Sequence, residues 1–319
     1  MTSQSDLLAR YGDLMLAHAG IETDLIFNKG VDLPGFASFP LMETAEGRAL
    51  LETSMAELLD VGARAGTGVI LESPTWMANR DRAAGIGYAP ADVLRINRDA
   101  LAMMAGLRDR APGVSGKTGG PIILSGNIGP RDDAYAPADQ MSAETAEAYH
   151  AEQISALAQT EVDVISAYTL AYPAEAIGIV RAARAVGLPV AISFTVETDG
   201  TLPTGQPLGA AIMEVDVATA GQAAYFMLNC AHPDHFGDTL EPAAWMDRLR
   251  GLIVNASRCS HAELDAAEHL DDGDPVELGQ QMAALRQRFP HLTVLGGCCG
   301  TDMRHMAEIA QAARALPVA

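Results

Sequence analysis

Short apolar runs rich in β-branched residues recur eight times along the chain, and alanine-rich stretches with helical spacing lie between them. The runs occupy residues 14–20, 68–76, 121–130, 162–170, 189–196, 223–233, 249–257 and 291–300. Periodicity alone does not separate such runs from buried helix. Their length, flanking Gly or Pro and alternation with helical stretches favour buried parallel strands. The intervening stretches predict helices at 46–65, 91–110, 142–160, 208–222, 275–289 and 302–316. One more follows the fourth run: Pro173 fits a first helical position, Ala176, Ile177, Val180 and Ala183 share a face, and Gly187 precedes Pro189. Eight such units in this length predict an α/β chain folded as a single (β/α)8 barrel of the TIM type over residues 1–319. The competing open doubly wound sheet is usually marked by a G-x-G-x-x-G turn opening its first helix, and the chain has none.

Composition narrows the function classes. Of 319 residues, 49% are hydrophobic and 19% charged, as in a globular protein with a large core. The net charge of −20 argues against nucleic acid and anionic lipid surfaces as partners. No apolar stretch is long enough to span a membrane, and Met1-Thr2-Ser3-Gln4-Ser5-Asp6 does not resemble a secretory signal, so a cytoplasmic protein is expected. Residues 258–275 form an acidic insertion with Glu263, Asp265, Glu268, Asp271, Asp272 and Asp274, read as a solvated loop or short helix.

Four cysteines are too few for a disulfide scaffold. Three of them fall where a barrel carries its chemistry, at the carboxyl ends of strands. Cys230 ends the sixth run, and Cys298 and Cys299 end the eighth. Three convergent thiolates suit a borderline-soft cation such as Zn2+ with a fourth position left for substrate, and the glycines around Cys298-Cys299 let the backbone bend. The alternative is that they are small buried apolar side chains. Cys259, in a polar loop, reads as incidental. Zinc held by three thiolates has little Lewis acidity left for water but keeps a thiol ligand deprotonated, which suits alkyl transfer to sulfur.

The sequence Gly296-Gly297-Cys298-Cys299-Gly300-Thr301, with Asn229-Cys230, resembles the homocysteine S-methyltransferase family, and the resemblance covers nearly the whole chain. Ile192-Ser193-Phe194-Thr195-Val196, Asp199-Gly200, Gly205-Gln206-Pro207-Leu208 and Gly20-Ile21-Glu22-Thr23-Asp24 add weaker support. The resemblance implies a zinc-dependent (β/α)8 barrel in which Cys230, Cys298 and Cys299 bind the metal. Two positions depart from it. The family's Asp-Gly-Gly turn after the first strand is His18-Ala19-Gly20 here, and its Glu-Thr pair after the fourth is Tyr168-Thr169. The resemblance associates those acidic positions with the amino group of homocysteine. The acceptor therefore differs from homocysteine, or Glu22, Glu72 or Glu197 stands in.

For a cationic methyl donor, Trp76, Tyr168, Tyr172 and Phe194 fall at or just past strand ends, where an aromatic face suits a sulfonium or ammonium or simply packs. Asn127 and Asn255 line the pocket or satisfy turns; Asn229 holds the metal loop. His232 and His235 look like ligands by type, but three thiolates plus substrate already fill a tetrahedral site. The substrate-contact set is Glu22, Trp76, Asn127, Tyr168 and Phe194. The expected activity is transfer of a methyl group from a sulfonium or ammonium donor, with an S-methylmethionine-like compound favoured, to a thiol such as homocysteine, giving methionine. The alternatives are a corrinoid-linked methyltransferase that needs a partner protein and a non-catalytic barrel that binds a methylated cation. Small molecules are the expected partners; the sequence leaves the oligomeric state open.

Overall fold

The computed structural model describes residues 4–111 and 120–315. Residues 1–3 of the amino-terminal stretch and residue 316, at the end of the last predicted helix, lie outside the described residues. Eight parallel strands close into a barrel in chain order: β1 (Met15–Leu16), β2 (Gly68–Glu72), β3 (Ile122–Ile128), β4 (Val164–Leu170), β5 (Val190–Thr195), β6 (Tyr225–Asn229), β7 (Leu249–Val254) and β8 (Val294–Gly297). Each pairs with the next, and β8 closes on β1 through Met15 opposite Val294 and Leu16 opposite Leu295. Every predicted run contains one strand. The runs were longer than the strands because their last residues leave the ladder to build the mouth.

Side chains alternate across each strand, so one set fills the barrel and the other packs under the helices. Inside lie Met15, Ile70, Ile123, Ala191, Tyr225, Met227, Ile253 and Val294. Outside, Leu71, Leu124, Ile165, Ile192, Leu228, Leu252 and Leu295 meet helices such as Ala45–Ala65, Pro90–Arg110 and Pro173–Ala185. At the amino-terminal end, Leu7 of the helix Gln4–Arg10 inserts into the interior set, and the Tyr11 and Tyr225 hydroxyls pair at 2.8 Å. One face is thereby sealed and the other opens.

The middle of the barrel is unusually polar. Where branched aliphatics normally stack, the inward positions carry Glu72, Ser125, Ser166 and Ser193. Ser125 Oγ donates to Ser166 Oγ (2.7 Å), and Ser193 Oγ to Asn229 Oδ1 (2.7 Å). Such a layer gives the cavity above it a polar floor.

One connection departs from the strand–helix alternation, and the acidic insertion matches its reading as a loop or short helix. Between β6 and β7 the crossover is made only of the short helix Pro233–Phe236 and the 3-10 turn Met246–Arg248, because Pro233 and the Glu241-Pro242 pair break the pattern. The acidic insertion does carry the short helix His261–Asp265, with a capping box between Ser260 and Glu263, and it overhangs the mouth.

Candidate active site

A cavity of about 750 Å3 opens at the carboxyl ends of the strands. Its walls include His18 and Glu22 after β1, Glu72 and Trp76 at and after β2, Asn127 on β3, Tyr168 on β4, Asn255 after β7 and all three strand-end cysteines.

The cysteines converge. Cys230 Sγ lies 2.7 Å from Cys298 Sγ and 3.8 Å from Cys299 Sγ, and all three sulfurs fall within 4.8 Å of one another. Local backbone chemistry forces this. Cys230 takes a left-handed conformation (φ 59°) that turns it off the end of β6. Its carbonyl accepts from Asn255 Nδ2 (3.0 Å) and from His261 Nε2 (2.6 Å). Asn255 Oδ1 in turn accepts from the Cys299 amide (3.1 Å), so one amide side chain ties the two cysteine loops together. Gly20 lies so close to the Cys298 carbonyl that any side chain there would run into it. Gly300 (φ 79°) makes the turn that follows Cys299.

Hydrogen bonding from Cys298 and Cys299 holds the Cys230 thiol well below its ordinary range, and burial only partly opposes this. The same contacts push Cys298 and Cys299 up. Three thiols in one buried spot release one proton readily and the others only against an added cation. Burial, together with the charge on Cys230, raises Tyr135, whose hydroxyl contacts that sulfur. Tyr135 also packs against His261, ring centroids 3.9 Å apart, and His261 Nδ1 lies 3.3 Å from Glu197 Oε1. Neither Tyr135 nor His261 was singled out from sequence. Both sit in segments without strand or long-helix periodicity, so no pattern marked them.

Across the cavity, Tyr168 donates its hydroxyl to Glu72 Oε1 (2.9 Å), and the His18 ring stands edge-on to Tyr168 with centroids 4.9 Å apart. Burial drives Glu72 up to about 7 and His18 down to about 4. Trp76 donates its indole N–H to the Tyr168 carbonyl (3.3 Å), and the Arg82 guanidinium stands over its ring. Glu22 accepts from Ser38 Oγ (2.8 Å), and burial raises its carboxyl.

Other sequence candidates lie elsewhere. Phe194 is fully buried in the outer layer, its ring parallel to that of Phe226 at 6.3 Å, and does not line the cavity. Strand alternation requires this, since Ser193 on one side of it bonds inward to Asn229. The Tyr172 hydroxyl accepts from the Met141 amide. His232 Nδ1 accepts from the Asp234 amide, His235 Nε2 donates to the Arg258 carbonyl, and neither residue joins the group formed by the three thiols. Cys259 lies outside the thiol cluster. Asn229 does more than precede Cys230: it bonds the Thr169 amide (2.9 Å) and hydroxyl (2.8 Å), pinning the left-handed Thr169 (φ 63°) where β4 shifts register.

With this geometry in place, the profile of the homocysteine S-methyltransferase family matches residues 19–313. The chain belongs to that family. Among solved structures, the homocysteine methyltransferase MmuM from Escherichia coli superposes with a TM-score of 0.72 in its oxidized form and 0.71 in its metallated form. In each case the identity is 17%, with 97% of this chain and 99% of the other covered. At that identity the likeness is one of fold. Methionine synthases from Mycobacterium leprae and Mycobacterium tuberculosis are 30% and 32% identical over 138 residues, or 39% of this chain. The chain spans about a tenth of the length of those curated relatives. His18 and Tyr168, which stand where the sequence resemblance led carboxylates to be expected, both line the cavity. Among the described residues no helix is long and apolar enough to cross a membrane.

Proposed function

We propose that the protein is a zinc-dependent thiol S-methyltransferase that moves a methyl group from a sulfonium donor, S-methylmethionine-like, to a thiol acceptor such as homocysteine. The observation that carries this reading is the convergence of Cys230, Cys298 and Cys299 at one side of a deep cavity. The donor set suits zinc. Two thiolates on one tetrahedral centre with bonds of about 2.3 Å stand about 3.8 Å apart. The Cys230 to Cys299 separation is 3.8 Å, while the 2.7 Å approach of Cys298 to Cys230 has to open for all three to share one metal. The upward push on Cys298 and Cys299 is what an added cation at that spot relieves.

Zinc held by Cys230, Cys298 and Cys299 would keep the acceptor sulfur as an electron-rich thiolate. The protein's own residues do the rest. Asn255 and His261 fix the Cys230 carbonyl, and Asn255 fixes Cys299 with it. Trp76, Phe27, Phe36 and Tyr135 bring aromatic surface to the cavity, while Glu22, Asp133 and Asp265 supply negative charge for a cationic donor. As the acceptor sulfur bonds to the methyl carbon, the carbon–sulfonium bond breaks and its electrons leave with a neutral thioether. A thiolate and a sulfonium neutralise each other in this step. Apolar walls such as Ile21, Met55, Leu58, Leu71 and Met77 favour it by excluding the water that would otherwise stabilise the separated charges.

The test is metal analysis with product mass spectrometry. The purified protein is expected to hold one zinc per chain, Cys298→Ala to lose it, and the loaded enzyme to convert homocysteine and S-methylmethionine to methionine. Zinc far below one per chain and unchanged by Cys298→Ala counts against the metal site. Turnover only on addition of a corrinoid protein favours the corrinoid-linked reading. Ligand binding without methyl transfer across a panel of thiols and donors favours the binding-protein reading.

A further inference from the structure

Two segments from separate parts of the chain meet over one of the three thiols. Tyr135, on the loop after β3, places its hydroxyl against Cys230 Sγ, and its ring packs on His261 with centroids 3.9 Å apart and planes 31° from parallel. His261, on the segment after β7, donates from Nε2 to the Cys230 carbonyl at 2.6 Å, while its Nδ1 lies 3.3 Å from Glu197 Oε1. One imidazole therefore fixes both the backbone of Cys230 and the ring of the phenol that touches its sulfur. The β3 loop is held from behind as well. Asp133 Oδ1 accepts from the Tyr135 amide (2.7 Å) and the Ala136 amide (2.9 Å), Glu175 Oε1 accepts from the Arg131 amide (2.8 Å), and Arg82 reaches the Pro130 and Asp132 carbonyls. A side chain locked by its neighbours to this extent keeps one geometry against its partner.

The contact answers a chemical problem that the proposed reaction creates. Three protein thiolates and the acceptor thiolate on one zinc are all electron-rich, and each is a nucleophile for the methyl group. Tyr135 sharpens the problem, because its ring belongs to the aromatic surface offered to a cationic donor and brings that donor to the Cys230 side of the cluster. Attack by Cys230 would form a carbon–sulfur bond on the protein and break the carbon–sulfonium bond, whose electrons would leave with a neutral thioether. An uncharged thioether would then stand where zinc needs an anionic ligand. A phenol is protonated at neutral pH and donates its hydrogen. A thiolate lone pair that accepts this hydrogen must release it before it attacks carbon.

We infer that Tyr135 is a positioning residue that directs the methyl group to the substrate: by donating its hydroxyl hydrogen to Cys230 Sγ, it keeps this ligand from being methylated in place of the acceptor. The inference rests on the reading of the thiol cluster as a zinc-dependent methyl-transfer site and adds to it how the site spares its own sulfur. His261 holds the phenol on its target. Cys298 and Cys299, at the end of another strand, are the references inside the same cluster.

Alkylation by iodomethane, with no thiol substrate present, tests it on the zinc-loaded protein, and peptide mass spectrometry reads each cysteine separately. The sulfur–carbon bond forms as the carbon–iodine bond breaks and iodide leaves, so the probe needs neither a donor site nor turnover. Tyr135→Phe keeps the ring and removes the hydroxyl. Its Cys230 is expected to be methylated about tenfold faster than in the wild type, with Cys298 and Cys299 within about twofold, as the loss of one charge-assisted hydrogen bond allows. Cobalt in place of zinc gives a second readout. The thiolate-to-metal charge-transfer band is expected to move to lower energy in Tyr135→Phe, because a thiolate that loses a hydrogen bond gives up electron density more readily. A tyrosine that only packs would leave that band in place. Equal methylation of Cys230 in the two proteins overturns the inference, as does an equal rise at all three cysteines or an unmoved cobalt band. A protein that binds neither metal at the cluster removes the site and the inference together. Methyl transfer from S-methylmethionine to homocysteine is followed on the same preparations, so the two readings fail separately. A shielded Cys230 without turnover removes the activity and keeps the shield; turnover with an unshielded Cys230 does the reverse.

Discussion

Cys230 holds a left-handed backbone that a residue with a side chain adopts at a cost of about 1–3 kcal/mol, and its surroundings must over-determine it. Its amide bonds the Ile253 carbonyl (3.0 Å), and its own carbonyl takes two donors. Asn255 is the pivotal member because it also holds Cys299. Asn255→Ala is therefore expected to weaken zinc binding about 10- to 100-fold in chelator competition while the fold persists; unchanged affinity would show that the loops hold themselves. Glu72 makes a second residue-scale prediction. Its folded value of about 7 stands above the ordinary 4.5, so the folded state binds the proton more tightly than the unfolded one. The stabilisation is complete below 4.5 and is lost as pH rises through 7, a swing of about 3 kcal/mol. Ligand-free Glu72→Gln, neutral throughout, should exceed the wild type in stability at pH 8 and by much less at pH 5, as read by urea unfolding at both. An equal difference at both pH values would mean that burial does not govern this carboxyl. The cysteines were legible in the sequence because strand ends carry a barrel's chemistry. Phe194 was misplaced because a strand-end position was read without its parity: Ser193 points inward, so Phe194 does not.

Elements differ in how much of themselves the sequence reveals. Strands and long helices were legible because each buries a face and so repeats a pattern; Pro173 opening Pro173–Ala185 is one such case. The segments around the mouth bury little and repeat nothing. Residues 258–275 looked like a solvated acidic loop, and much of the segment is exposed: its helix His261–Asp265 has no buried residue. Yet Leu264, Asp265, Ala267 and Leu270 line the cavity, and His261 anchors the segment to the Cys230 carbonyl. Its two ends are tied, Arg258 to Asp234 and Glu277, and Asp271 and Asp272 to Ser257, Arg304 and His305, so the exposed stretch 265–270 between them opens at lowest cost. Limited proteolysis is expected to cut first within residues 265–270, and zinc with a bound thiol should slow that cut by stabilising the Cys230 loop beneath it. A first cut elsewhere, or a rate indifferent to both ligands, would remove the segment from any role in covering the site.

At the scale of the whole molecule, the net charge of −20 acquires a direction once the cavity is seen. Lys29 and Arg304 neutralise Asp24 and Asp302 there, which leaves Glu22, Glu57, Glu72, Asp133, Asp265 and Asp271 lining it against Arg82. Low-dielectric walls focus such a field into the opening, which raises the local concentration and encounter rate of a cation while doing little for a zwitterion. A sulfonium amino acid carries a net positive charge, and homocysteine near neutral pH carries almost none. The two substrates should therefore respond differently to salt. The Debye length shrinks from about 30 Å at 0.01 M to about 3 Å at 1 M, less than the span of the cavity mouth. Raising potassium chloride over that range is expected to lower kcat/KM for the sulfonium donor about tenfold or more, with little change for the acceptor. The comparison is internal, because one enzyme preparation and one product assay report both constants. Equal salt sensitivity would trace the effect to the protein's stability or to the thiol cluster. An insensitive donor constant would mean that capture rests on the aromatic and apolar walls, with the acidic surface irrelevant to the reaction.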